Sequence, residues 1–309
     1  MVHPKLHLVT HRHSGNIPMK FCVKPVCLTT KSRPSGATPP FNSINKSHPM
    51  ANSPGQYNPN FNVALQWMWG DGFLSPGGPD EVREMMKGVT LDGCRVLDVG
   101  SGLGAIAVML VEEFGAAEVV GVDVEAHLIE SSRERANKAG LANQIVFQLV
   151  EPGPLPFPAA SFDVVFSKDA IVHMPVKRDF YAEALRVLKP GGRFLGSDWL
   201  RGDDSTFTER AKAWIEYVHL DYKMQDISHT TAAMEGVGFS SVTMNDRNEW
   251  YQQAIRAELE SLAGDNFVEL AKLIGEKEAQ YRRQNSQMKQ GAIDDGFLRP
   301  THFVAHKPS

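Results

Sequence analysis

Residues 96–104 read Val-Leu-Asp-Val-Gly-Ser-Gly-Leu-Gly, a strand-like apolar run that passes directly into a glycine-rich turn. The stretch from Arg95 to Val99 has no helical periodicity, whereas Ala105 to Phe114 alternates apolar and polar residues at helical spacing. Gly100, Gly102 and Gly104 stand at the join. Glycines there permit positive φ and let a ligand approach the backbone, and the free N–H groups of a helix N-terminus lie beside them. The combination points to a nucleotide-like cofactor. The spacing G-x-G-x-G differs by one residue from the dinucleotide fingerprint G-x-G-x-x-G. By itself the loop fits a nicotinamide cofactor and S-adenosylmethionine (SAM) equally.

Outward from the loop, strands are expected at 118–123, 145–149, 162–167 and 192–198, with helices at 126–139 and 177–188. This alternation predicts an α/β fold, a parallel sheet covered on both faces. Upstream, 61–69 reads as an apolar helix, followed by the glycine- and proline-rich loop 70–78 and a short helix at 81–86. Downstream, helices are expected at 206–222 and 230–237, a strand at 241–244, one long charged helix between 250 and 288, and a last strand at 301–305.

Residues 1–50 contain no Asp or Glu and many Ser, Thr and Pro, a composition that cannot build a packed core. They read as a disordered leader, either a transit-like segment or upstream sequence before Met50. Residues 51–90 are expected to form an N-terminal lid helix and loop, and 91–309 the catalytic domain. A formal net charge of −4 argues against a nucleic-acid or anionic-membrane surface. Cys22, Cys27 and Cys94 are too few for a disulfide framework, and the histidines show no ligand spacing, so no metal is assigned. The expected location is the cytoplasm, or an organelle if residues 1–50 are a transit peptide. The expected partner is a small-molecule substrate, with a homodimer left open.

Asp123 ends the second strand, where a carboxylate can accept both ribose hydroxyls of a cofactor or cap the next helix. Glu151, in the proline-rich loop 150–158, can face an adenine amino group or simply be solvated. Asp169 and His173 are four residues apart and share a face if that segment is helical. Near neutrality His173 is the side chain best suited to take a proton, and a packed or capping histidine is the alternative.

The ordered set of D-V-G-S-G-L-G, Asp123, Ser161-Phe-Asp-Val-Val165 and Leu188-Lys-Pro-Gly-Gly192 resembles the class I SAM-dependent methyltransferases. Gln56-Tyr57, Trp69-Gly-Asp-Gly-Phe-Leu-Ser-Pro-Gly-Gly78 and Ser167-Lys-Asp-Ala-Ile-Val-His173 narrow the likeness to the phosphoethanolamine N-methyltransferases and their relatives. The resemblance implies a Rossmann-like, seven-stranded, mostly parallel sheet with an antiparallel last strand, and helices at about 206–288 covering the acceptor. It also implies SAM as cofactor, with Gln56, Ser75, Asp98, Gly100, Gly102, Gly104, Asp123, Val124, Glu151 and Lys168 binding it. Tyr57 and His173 match the family's catalytic pair and Asp169 its acceptor-site acid.

Where the family grips phosphate through tyrosines and an arginine, this chain has Trp199 and Leu220-Asp-Tyr222, and the guanidinium is missing. That weakens the expectation of a phosphorylated acceptor. Trp199, Arg201 and Tyr222 are the expected acceptor contacts, Arg201 for a carboxylate and Trp199 for a cationic centre. The expected reaction is methyl transfer to nitrogen or sulfur of a small zwitterion. A methionine-type thioether is the rival acceptor, and a nicotinamide oxidoreductase or a non-catalytic SAM-binding regulator are rival classes.

Overall fold

The computed structural model describes residues 59–218 and 224–309. Seven strands lie side by side in the order β3-β2-β1-β4-β5-β7-β6. They are β1 Arg95–Val99, β2 Glu118–Asp123, β3 Ile145–Leu149, β4 Phe162–Lys168, β5 Leu188–Arg201, β6 Ser240–Asp246 and β7 Leu298–His306. All pairs among β1 to β5 are parallel, and β7 runs antiparallel between β5 and β6. The expected seven-stranded sheet with an antiparallel last strand is present.

Both faces of the sheet are covered, so its central strands are buried along nearly their whole length rather than at alternate residues. Val96, Val119 and Phe166 pack on one face with α2 (Gly78–Met85), α3 (Ala105–Glu112) and α4 (Ala126–Lys138). Leu97, Val120 and Val165 pack on the other with α5 (Lys177–Val187) and α7 (Ile227–Val237). The neighbours of β1 are β2 on one side and β4 on the other, so chain order reverses there. In open α/β sheets the crevice at the strand C-termini beside such a reversal is where ligands bind.

The lead-in is α1 (Pro59–Trp69) and the loop to Gly78. Arg135 of α4 holds this loop on the glycine turn: its guanidinium donates to both Asp71 oxygens and to the Leu103 carbonyl. In the C-terminal third, α6 (Glu209–Val218), α8 (Asn248–Ser261) and α10 (Glu276–Asp294) share a core around Trp214, Tyr251 and Ile293, and α9 (Gly264–Ile274) packs with α1.

Several expectations are corrected here. The helix expected across 250–288 is three helices, because Gly264 and Gly275 take φ of 57° and 91° and start new segments. The helix expected over 206–222 begins later, at Glu209, after a single 3-10 turn at Asp204–Thr206. The strand expected to start at 192 starts at Leu188, so the Leu188-Lys-Pro-Gly-Gly192 segment belongs to β5, with its ladder to β4 shifting between Phe162 and Val164.

Candidate active site

A cavity of about 880 Å³ lies at the C-terminal ends of β1, β2 and β4, between the sheet, the lead-in loop and the C-terminal helices. At one end stand Gly100, Ser101, Gly102, Asp123, Val124 and Glu151. Asp123 Oδ2 accepts from the Gly102 N–H at 2.9 Å and Oδ1 from the Glu125 N–H at 3.0 Å. It therefore serves the turn into α4 and the glycine loop together. Each of its oxygens keeps a further lone pair for a hydroxyl donor. Burial raises its carboxyl above the ordinary range, against the pull of the backbone N–H groups of Glu125, Gly102 and Val124. Ser101 Oγ is buried without a partner, while Val124, about half exposed, and Leu128 add apolar wall.

Two expected cofactor residues sit outside the lining. Gly104, with φ of 82°, caps α3; a Cβ there would meet Ser132 Cβ at 2.8 Å and Phe147 Cζ at 2.9 Å, so it serves helix-on-sheet packing. Asp98 is buried in β1 with one oxygen unpartnered. Burial, reinforced by the Asp123 charge, pushes its carboxyl up to about 7. Gln56, Tyr57 and Tyr222 lie outside the described residues.

Midway along the cavity β4 delivers Lys168, then Asp169, then a 3-10 turn at Ile171–His173. Asp169 takes φ of 57°, so it is not on a helix with His173. The shared helical face is replaced by a sharp turn that still brings both groups to the same wall. The Lys168 ammonium, 3% exposed, donates to Ser75 Oγ at 2.7 Å, the Pro76 carbonyl at 3.3 Å and Asp169 Oδ2 at 2.7 Å. It fastens the lead-in loop to the acid. Ser197 Oγ donates to the other Asp169 oxygen at 2.7 Å. Burial opposes the Asp169 carboxylate, yet the Lys168 charge and these hydrogen bonds hold it below the usual range.

Burial depresses the His173 imidazole to about 4, helped by the Lys177 charge and opposed by Asp169. Its turn is fixed from behind by Asp198 Oδ1, which accepts from the Val172 N–H at 2.9 Å. At the far end stand Trp199 and Trp214, ring centroids 6.3 Å apart, with Glu258 of α8 and Arg282, Ser286 and Lys289 of α10. Arg201 is not there. Its guanidinium turns outward to the Gly202 carbonyl and Asp204, which removes it from the expected acceptor contacts.

The family model described as a methyltransferase domain matches residues 90–261, more than half of the chain. The chain belongs to this methyltransferase family.

The chain is 30% identical over 207 residues to phosphoethanolamine N-methyltransferase 1 of Arabidopsis thaliana, covering 66% of this chain and 41% of that protein. It therefore spans about two fifths of that relative's length. With the Plasmodium falciparum phosphoethanolamine N-methyltransferase it shares 24% identity over 237 residues, 76% of this chain and 82% of the relative. Among solved structures it resembles Haemonchus contortus phosphoethanolamine N-methyltransferase 2, in complex with phosphomonomethylethanolamine and S-adenosylhomocysteine. There the TM-score is 0.75 and the identity 26%, over 82% of this chain and 58% of that one.

Sequence alone did not single out Glu258, Arg282, Ser286 and Lys289 as cavity residues. Their signal was periodicity: Tyr251, Ile255, Glu258 and Leu262 follow the stripe i, i+4, i+7, i+11, and Arg282, Ser286, Lys289 and Ile293 repeat it. A charged residue in register with a buried apolar stripe marks either a paired core charge or a site. Here Glu258 is both buried and on the cavity wall.

Proposed function

We propose that the chain transfers the SAM methyl group to the amine nitrogen of a small polar, zwitterionic metabolite. The observation that carries this reading is the one cavity that joins the glycine loop and Asp123 to Asp169, His173 and the polar far wall. The residues fit the cofactor: Asp123 retains acceptor capacity for ribose hydroxyls, Val124 and Leu128 offer an apolar face, Glu151 stands at the rim, and the buried Ser101 hydroxyl awaits a partner. Likeness to proteins named phosphoethanolamine N-methyltransferases supports nitrogen as the acceptor atom.

When bound, the cofactor would supply a sulfonium methyl that the acceptor nitrogen attacks in line, forming the N–C bond as the C–S bond breaks and S-adenosylhomocysteine leaves. Positioning the nitrogen within a near-attack distance of roughly 3–3.5 Å supplies much of the acceleration. An amine attacks only when unprotonated, and the proton it sheds needs an acceptor. His173 is neutral throughout the physiological range because burial disfavours its cation. A neutral imidazole carries a lone pair on one ring nitrogen, and the Asp169 charge partly restores the basicity that burial removes. Lys168 holds Asp169 and the lead-in loop in one arrangement. Residues 51–90 are the proposed lid, and the helices between 206 and 288 the proposed acceptor cover.

His173→Ala is expected to lower kcat for an amine acceptor by about 10²–10⁴-fold, with S-adenosylhomocysteine affinity preserved. A thioether sheds no proton and should lose far less. Equal losses on both acceptor types would overturn the base role.

A further inference from the structure

Among the described residues, every cation lining the cavity is already claimed by a carboxylate. Lys168 pairs with Asp169 at 2.7 Å, Arg282 with Glu278 at 2.6 Å and Lys289 with Glu258 at 3.1 Å. The last pair faces the acceptor end. The Glu258 side chain is 1% exposed, accepts from Ser286 Oγ, and holds the Lys289 ammonium at 3.1 and 3.2 Å from its two oxygens. The same ammonium lies 5.9 Å from the Trp199 ring centroid and 5.5 Å from that of Tyr251. Lys289 is thus enclosed by a carboxylate and two aromatic rings.

A phosphate monoester carries about −1.5 to −2 charge at neutral pH. Arriving here, it would meet the buried Glu258 carboxylate, where like charges repel more strongly than in bulk water, and it would find no unpaired cation among the described residues lining the cavity. A hydroxyl meets no such penalty, since it can donate to Glu258 and accept from Lys289. A carboxylate, with a single charge, can share the remaining Lys289 protons. We infer that the Glu258–Lys289 pair determines acceptor specificity, admitting small amines without a phosphate, amino alcohols or amino acids, and rejecting phosphorylated amines. The inference rests on the reading of this cavity as a site of amine methylation.

The test is methyl transfer by the full chain to ethanolamine, glycine and phosphoethanolamine, with wild type and Glu258→Gln, and with S-adenosylhomocysteine binding measured alongside. In the wild type, kcat/KM for phosphoethanolamine should fall at least about tenfold below the better of the other two. In Glu258→Gln, which leaves Lys289 without its counter-charge, phosphoethanolamine should gain about tenfold with cofactor-product affinity unchanged. Ser286→Ala, which strips a hydrogen-bond donor from the same carboxylate and leaves its charge less offset, should move the ratio the opposite way, and serves if Glu258→Gln folds poorly. A wild type that prefers phosphoethanolamine, or a ratio unmoved in both variants, overturns the inference. Absence of transfer to any amine counts instead against amine methylation itself. Binding of the three compounds to the S-adenosylhomocysteine complex then decides the specificity, tighter phosphoethanolamine overturning it.

Discussion

His173 combines two requirements that pull apart. A general base works best with a pKa near the operating pH, yet the imidazole here is depressed to about 4 by burial and Lys177. As the proposed base it is neutral at working pH, with less driving force than an exposed histidine, and Asp169 offsets part of that loss. Because the folded value lies below the unfolded one of about 6.5, its contribution to stability is fully present above pH 6.5. That contribution is lost as pH falls toward 4, where the unfolded chain binds the extra proton. An NMR titration of the His173 ring should therefore show a midpoint well below 6, moved upward by Lys177→Met. A midpoint near 6.5 in the wild type would mean that the ring is not buried as described. While Lys168 came only from the family resemblance, sequence placed Asp123 at the end of a strand and Asp169 and His173 just beyond one, which is where the structure has them. Arg201 follows one too, and it was misplaced: its position at the end of β5 fixed its neighbourhood but not its rotamer, and Asp204, three residues on, drew the guanidinium outward.

At the scale of elements, the β1–α3 turn shows how one stretch of sequence performs two tasks. Gly100 and Gly102 line the cavity, while Gly104 serves only the packing of α3 against Ser132 and Phe147. Gly104→Ala should destabilise the chain by about 1–3 kcal/mol through its positive φ and crowding, measurable by denaturant unfolding. A loss within experimental error would show that the turn relaxes freely. The alternating strands and helices were legible because their buried runs are continuous and their helices amphipathic. The cover was harder to read. Charged residues continue across Gly264 and Gly275, so periodicity alone merged α8, α9 and α10 into one helix, and only the positive φ at those glycines separates them. Merging them hid that Glu258 and Lys289 come from different helices and meet across the cavity wall.

For the whole molecule, the sheet supplies the rigid floor and its order reversal at β1 places the cavity. The lead-in loop closes one side through Arg135 and Lys168, and the C-terminal helices close the other. Under the proposed reading, the cofactor-side residues come from strand ends and the acceptor-side residues from inserted helices, so the acceptor can change while the sheet is kept. The central claim is tested most directly by incubating the full chain with SAM carrying a labelled methyl group and a mixed panel of small amines, amino acids and thioethers, followed by mass spectrometry. Label is expected on the nitrogen of an amine, with S-adenosylhomocysteine formed in equal amount. Label on a thioether sulfur alone, or no labelled product while S-adenosylhomocysteine binds, would contradict it.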